Sequence, residues 1–408
     1  VVAHLKRNHE LIAARAGVDL EIRKVAVRDT GKDRGVSAEI LTTDWREVVF
    51  DPRVDVVVEL MGGVDRALEV ALATIEAGKP FVTANKAMLA EKGSDLFQRS
   101  TEAGVPVFFE ASVAGGIPIL KALTEGLRAN RIEKIHGIVN GTCNYILTRM
   151  DREHVDFSTI LAEAKELGYA EADEALDVDG IDAAHKAALL AGLAFGFPVP
   201  FEEVHVEGIR EITPLDMKFA EKLGYTIKLL TAILPEGESL AQVRVHPALV
   251  PRAHVLANID GVFNAVLITG DVVGPTLFYG RGAGADPTAS AVLADMIEAA
   301  QGNAGLGGVL ARQAGAVLPM EKVEIPYYAR LTVLNQPGVL AQVAGIFGDY
   351  KIGISSVFQP EDHTDPDVPL ILLLDRSREA DLQAAIREIK ALKVVVGPCQ
   401  VIRVEDFK

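Results

Sequence analysis

The stretch VDVVVELMGGVDRALEVALATIEAGKPFVTANK, residues 54–86, contains a complete strand–helix–strand unit. Val54–Leu60 is almost continuously apolar and β-branched, and it stops at Met61-Gly62-Gly63. Asp65–Ala77 carries apolar residues at helical spacing, Gly78 ends it, and Pro80–Thr83 is a second short strand. A strand covered on both faces reads as one apolar run, and a helix between two such strands returns the second parallel to the first. Working outward, Ile22–Val27 reads as an earlier strand, Met88–Ala103 as a helix and Val105–Glu110 as a later strand. This alternation predicts an α/β, doubly wound (Rossmann-type) parallel sheet over residues 1–129. Ligands of such sheets lie beyond the carboxyl ends of the strands. Those ends are Val27-Arg28-Asp29, Leu60–Gly63, Ala84-Asn85-Lys86 and Glu110-Ala111-Ser112.

From about Asn130 the pattern changes. Helical stretches Phe157–Leu167, Ile181–Phe195 and Asp216–Leu223 precede strand-like runs Tyr225–Leu234, Gln242–Val250 and Asn264–Thr269. Strands in close succession predict an antiparallel sheet, hence an α+β substrate-binding and dimerisation domain over residues 130–300. Residues 301–325 are rich in Gly and Ala with little periodicity and are expected to relax into a linker. Residues 326–408 then run strand Tyr327–Leu334, helix Val339–Tyr350, strands Gly353–Gln359 and Leu370–Asp375, helix Glu379–Leu392, strand Val394–Val404. That βαββαβ order is the ferredoxin-like arrangement.

Composition narrows the function. The 408 residues hold 41 Lys+Arg against 57 Asp+Glu, a formal charge of −16. So acidic a chain is a poor ligand for nucleic acid or anionic lipid. No uncharged apolar run reaches the roughly 18 residues a membrane span needs, and Val1–Arg15 lacks the layout of a signal peptide. Cys143 and Cys399 are too few for a disulfide framework, and the nine His show no metal-ligand spacing. The expectation is a cytoplasmic protein with neither nucleic-acid nor membrane partner and no transition-metal site.

Several residues could carry chemistry. Glu171, Asp173, Asp177, Asp179, Asp182 and Lys186 crowd one stretch, and Asp182 and Lys186 share a helix face at i,i+4. A Lys in a cleft beside carboxylates can act as a general acid; the same spacing also fits a surface ion pair beside a solvated acidic loop. Lys86 follows a strand directly, where a side chain points into the ligand crevice, or simply opens a surface helix. Gly280–Gly284, followed by Pro287 as first helical residue, is a glycine loop feeding a helix N-terminus. It lacks the strand context of a dinucleotide fingerprint. Cys143, in a turn that opens a helix, is either a nucleophile favoured as thiolate or small filler.

Taken together, Val82–Ala87, Phe109–Pro118, Asn140-Gly141-Thr142, Leu167–Asp173, Asp177–Lys186 and Gly282-Ala283-Gly284 closely resemble homoserine dehydrogenase over about residues 1–300. Residues 326–404 resemble the amino-acid-sensing ACT domain that some members carry. The resemblance implies reversible NAD(P)H-dependent reduction of L-aspartate 4-semialdehyde to L-homoserine in threonine and methionine biosynthesis. By the family's pattern Lys186 is the proton donor and acceptor, and Lys86 lies near nicotinamide and the reacting oxygen. Glu171, Asp177 and Asp182 bind the amino acid, and Gly168, Gly282 and Gly284 meet the cofactor. A sodium-type cation is held at Glu110, Val113, Gly115 and Ile117, mostly through backbone oxygens.

Arg28, just past a strand, stands where a 2′-phosphate would be met and favours NADP over NAD. The family's first strand and Gly-rich turn should precede Val1. A protein physically lacking them should bind cofactor weakly. In the ACT-like domain Asn335, Gly338 and Val339 form the turn and helix start where an effector's carboxylate would sit, with L-threonine the natural effector. A homodimer or homotetramer is expected, and truncation after about Leu318 should leave an active, threonine-insensitive enzyme. Two rival readings remain: a semialdehyde dehydrogenase acting through Cys143, and a non-catalytic amino-acid sensor with a degenerate dehydrogenase body.

Overall fold

The structure, a computed structural model, describes residues 1–169, 174–237, 239–309, 314–360 and 365–407. Its first unit carries the parallel strands Val57–Glu59, Phe81–Thr83 and Val107–Phe108, with helix Asp65–Glu76 in the first crossover and helix Lys86–Ala103 in the second. Phe81 and Val107 have no exposed surface, as the apolar runs require of strands covered on both faces. Helix Ala285–Ala300 returns from much later in the chain and packs Ala291, Val292 and Ala299 against Val82 and Phe108. The expected strand Ile22–Val27 is shorter: only Val25–Ala26 is extended, paired in parallel with Leu41–Thr42 as a separate two-stranded sheet. Glu21 and Arg23 are exposed, which leaves the start of that run without a buried face.

The second unit is built on long antiparallel strands. Gly274–Arg281, Phe263–Gly270, Ile132–Ile138, Tyr225–Pro235 and Leu240–Pro251 lie side by side in that order. Ile132–Ile138 and Gly274–Arg281 are strands that the sequence patterning did not reveal. Alternate residues divide the sheet between two cores. Ile135, Ile233 and Val245 face the helices, whereas Ile138, Leu230 and Ala248 pack with Leu256 on the other side. The central helix, Ile181–Phe195, ends at Gly196 in the left-handed conformation and buries every residue from Ala183 to Leu193. A helix apolar on all sides has to sit inside the protein. It is made mostly of Ala and Leu, the strongest helix formers.

The third unit has the expected βαββαβ order, with strands Glu324–Leu334, Ile354–Phe358, Asp367–Arg378 and Val395–Val404 and helices Val339–Asp349 and Glu379–Lys390. It is not a detached module. Val395–Val404 pairs in parallel with Leu240–Pro251 through Arg403↔Ala248 and Val404↔Leu249, so the two sheets are continuous. Two buried ion clusters clamp the seam. Arg330 donates to both oxygens of Asp216, at 2.6 and 2.9 Å, and the Tyr328 hydroxyl adds a third bond. Arg403 donates to Glu207 at 2.7 and 2.8 Å and to Glu379 at 2.8 and 3.0 Å.

This seam bears directly on the expected fragment ending near Leu318. Such a cut would unpair the Leu240–Pro251 edge and leave the fully buried Asp216 without its arginine. The segment expected to relax as a linker is also docked. Leu306 donates its N–H to the Val107 carbonyl, Ala316–Val317 pairs with Leu240–Ala241, and Val317 and Val323 are buried. No helix among the described residues is long and apolar enough to cross a membrane.

Candidate active site

Asn140, at the N-cap of helix Gly141–Glu153, organises the site. Its Oδ1 accepts the Cys143 N–H at 2.8 Å, the ordinary bond of an N-cap asparagine. Its Nδ2 is left to donate to Asp177 Oδ1 at 2.7 Å and Asp182 Oδ2 at 2.9 Å. One side chain therefore fixes two carboxylates relative to the helix. Burial raises the pKa of Asp177 despite the Asn140 bond.

Asp182 also meets two lysines. Lys186 Nζ donates to its Oδ2 at 2.7 Å, and Lys86 Nζ lies 3.1 Å from its Oδ1. Burial alone would favour the neutral acid, but Lys186 and Lys86 outweigh it and hold Asp182 far below the ordinary carboxylate range. Lys186 donates again, to the Val139 carbonyl, at 2.7 Å. Its side chain is 9% exposed, so this is no solvated surface pair. An ammonium has three N–H groups; among the described residues two of them are spent, on Asp182 and Val139.

His185, the residue before Lys186, stacks on Phe201 and places Nε2 3.2 Å from Glu91. Burial lowers its pKa, although Glu91 pulls the other way. Glu91 stands on the helix that Lys86 opens, so the two helices meet twice: at Lys86–Asp182 and at Glu91–His185.

Cys143 is fully buried, and its Sγ donates to the Asp177 carbonyl at 3.2 Å. Burial, then the nearby Asp177 and Asp182 charges, push the thiol well above its usual pKa. The helix start does not make it a thiolate, so the reading of Cys143 as a nucleophile is corrected, and the semialdehyde dehydrogenase reading loses its chemistry.

The other expected residues fall in three places. Glu171 and Asp173 lie outside the described residues. Gly168 is exposed and precedes Tyr169, whose carbonyl accepts the Thr142 hydroxyl at 2.7 Å, so it flanks the Asn140 helix. Gly282 packs flat against Asn264, where a Cβ would overlap the Asn264 amide. Gly284 is the N-cap of helix Ala285–Ala300, which has no side-chain cap. Pro287 is its third residue rather than its first. Arg28 is exposed beyond Val25–Ala26 and is no part of the lysine cluster. At the end of strand Val57–Glu59, Glu59 accepts the N–H groups of Met61 (2.6 Å) and Gly62 (3.2 Å) and the Thr83 hydroxyl (2.7 Å). It braces the loop at which a cofactor of this fold would lie.

Glu110, Val113, Gly115 and Ile117 form a tight corner against the Gly282 loop. Ala114 and Gly115 both have positive φ (51° and 24°), and the Gly116 N–H donates to the Arg281 carbonyl. The Glu110 side chain is committed elsewhere: its two oxygens accept the N–H groups of Leu120 and Lys121, both at 2.9 Å. Burial raises its pKa to about 6 against those bonds. Val113 and Gly115 are buried residues, and among the described residues no hydrogen bond reaches the carbonyl of either. Bare backbone oxygens suit a hard cation. No His/Cys/Asp/Glu group that could hold a metal occurs among the described residues. In the third unit, Gly338 caps helix Val339–Asp349 at φ 87°, with Asn335 exposed and Val339 buried.

The sequence reading missed Asn264, Glu59 and the Val139 carbonyl, and it used Asn140 only as part of a motif. An Asn directly before an apolar run was the available signal at 140. At 264 it was a single amide opening the strand-like run Asn264–Thr269.

Comparison with known proteins places the chain in a family. Residues 118–297 match the family model described as homoserine dehydrogenase, residues 1–110 its NAD-binding domain, and residues 330–397 an AHAS small subunit-like ACT domain. The chain is 46% identical to the homoserine dehydrogenase of Pseudomonas aeruginosa, covering 99% of this chain and 95% of that protein. It is 42% identical to that of Helicobacter pylori, over 98% and 95%. The solved homoserine dehydrogenase of Thiobacillus denitrificans superposes with a TM-score of 0.94 at 44% identity, covering 100% and 95%. A hyperthermophilic archaeal homoserine dehydrogenase in complex with NADPH covers 72% of this chain and 93% of its own, with a TM-score of 0.62 at 28% identity.

Proposed function

The chain belongs to the homoserine dehydrogenase family, and we propose that Lys186 hands the proton to the reacting oxygen while Asp182 holds Lys186 and Lys86 in place. The enzyme is a nicotinamide-dependent oxidoreductase that interconverts L-aspartate 4-semialdehyde and L-homoserine. The bound nicotinamide supplies the hydride. The protein's own residues orient the substrate and move the proton. Lys186 points its third N–H at the carbonyl oxygen, and Lys86 adds a second positive charge as that oxygen becomes an alkoxide. Asp177 and Asp182, with Glu171, anchor the substrate's ammonium so that its carbon meets the hydride donor. In the reverse direction Lys186 takes the proton back. The observation that carries this reading is the pairing of Lys186 with both Asp182 and the Val139 carbonyl in a nearly closed site.

For the cofactor, the reading assigns Gly168, Gly282, Gly284 and Lys86 to the dinucleotide and Arg28 to a 2′-phosphate, making NADP the preferred form. The glycine loop and the Glu59-braced strand end fit such a group, because both offer backbone at close range. A sodium-type cation at Glu110, Val113, Gly115 and Ile117 stabilises the corner between the units. The unit boundaries follow as 1–129, 130–300 and 326–408. The ACT domain binds an amino-acid effector, which we take to be L-threonine, and the enzyme works as a homodimer or homotetramer.

The deciding experiment is Lys186→Ala. Without the lysine, Asp182 keeps Lys86 and Asn140 as partners, so the fold is not left with a stranded charge. Turnover should fall by about 10²–10⁴-fold with substrate binding and melting temperature retained. Turnover above about a tenth of wild type would remove Lys186 from the proton-transfer role.

A further inference from the structure

Asn264 lies between the lysine cluster and the glycine loop. The residue is 1% exposed, and its Nδ2 donates to the Val139 carbonyl at 3.0 Å. That carbonyl is the one Lys186 uses. A carbonyl oxygen has two acceptor sites, and here one holds the lysine and the other the amide. The same amide lies against Gly282, where an added Cβ would fall 1.8 Å from Nδ2. Asn264 Oδ1 is buried and accepts no hydrogen bond from any described residue. A buried polar atom without a partner is destabilising, so an amide at this position has to serve something an apolar side chain could not.

We infer that Asn264 is the positioning residue of the reaction: it fixes the Val139 carbonyl, and through it the direction of the Lys186 ammonium, while holding the Gly282 loop in register with that lysine. This rests on the assignment of Lys186 as proton donor. If Nδ2 is removed, the Val139 carbonyl is free to turn, and Lys186 loses the second of the two bonds that aim its third N–H. If the amide is removed altogether, Gly282 loses the surface it packs on, and the loop expected to meet the cofactor can shift relative to the lysine. Asn264 itself acts only through Val139 and Gly282 and is not assigned a contact with the reacting atoms.

The test compares Asn264→Ala, Asn264→Ser and Asn264→Asp with wild type and with Lys186→Ala. Asn264→Asp keeps the shape but replaces the donor facing Val139 with an acceptor. A misaimed proton donor should lower kcat by about 10- to 100-fold. KM for the semialdehyde should move far less, and the solvent deuterium isotope effect on kcat should rise as proton transfer becomes slower. NADPH binding, followed by nicotinamide fluorescence without turnover, should weaken in Asn264→Ala, where the loop loses its support, and change less in Asn264→Asp. Variants with kcat within twofold of wild type and an unchanged isotope effect would overturn the inference, provided Lys186→Ala is inactive in the same assay. If Lys186→Ala is itself active, the proton-donor assignment fails and this inference falls with it. Should Asn264→Ala fail to fold, Asn264→Ser and Asn264→Asp carry the same comparison.

Discussion

Lowering the pH should loosen this protein through one buried histidine. His246 lies on strand Leu240–Pro251 with no exposed surface. Arg244 Nε donates to its Nε2 at 3.1 Å, and its Nδ1 lies 2.9 Å from the Pro247 carbonyl. The ring is therefore neutral, with Nδ1 as donor and Nε2 as acceptor. A proton on Nε2 would remove the acceptor and set a cation against Arg244 and Arg403, with the Glu207 and Glu405 carboxylates in opposition. Burial, then those two arginines, hold its pKa well below 6.5 in the folded protein. The unfolded chain takes up this proton first as pH falls, so the stability His246 supplies is complete above about pH 6.5 and is lost below it. The loss begins near pH 6.5 and steepens below it toward a limiting slope of about 1.36 kcal/mol per pH unit for this one ring. His185 and His254 are displaced in the same direction, so wild type loses more than that in total. His246→Gln keeps an acceptor for Arg244 and cannot ionise. Urea unfolding at about pH 7.5 and pH 5 should show the variant losing less stability than wild type between the two. Equal losses in the two proteins would show that the ring is not held neutral by the folded state.

Arg330→Met should cost about 3–5 kcal/mol, because it leaves the buried Asp216 carboxylate without its cation. The double variant with Asp216→Asn should recover part of that in a thermal melt, and a full loss in both would deny the pairing its role. Threonine should lower turnover, and Gly338→Asp, in a left-handed position that Asp tolerates better than most residues, should abolish inhibition without lowering basal turnover. Calorimetry showing no threonine binding, with kinetics unchanged at millimolar threonine, would leave that domain without this effector. Replacing sodium with a bulky organic cation should reduce both activity and melting temperature if the Val113 and Gly115 carbonyls hold an ion; no change in either would remove the cation from the corner.

Patterning revealed those elements whose environment is uniform along their length. Ile181–Phe195 keeps its expected bounds because a fully buried Ala/Leu helix has one reading, and the βαββαβ order emerged because each of its strands is bounded by a turn or a helix. Ile132–Ile138 was missed because Glu133 and Lys134 interrupt the alternation before the buried half begins. Gly274–Arg281 alternates cleanly, but three of its residues are Gly or Pro, which suggested a loop. At the site, the i,i+4 spacing of Asp182 and Lys186 was visible, as was the strand-end position of Lys86. That one carboxylate joins both lysines was not, since it depends on two helices meeting across units. Asn140 and Asn264 were harder still: an amide's role is set by the carbonyls and carboxylates it meets, and nothing in local sequence specifies those.

The seam at Arg403 and Val404 bears on how the regulatory unit could be exchanged. A module joined by a free linker can be swapped between genes at the linker alone. Here the incoming unit would have to bring Arg330 and Arg403, and the recipient would have to present Asp216 and Glu207 in matching positions. Glu405, at the far end of the donated strand, must also find Arg244 at 2.7 Å. A recombinant joining two such enzymes near residue 320 should therefore be viable only when parents share these partners. Effector specificity in such hybrids would be inherited together with a patch of the catalytic body.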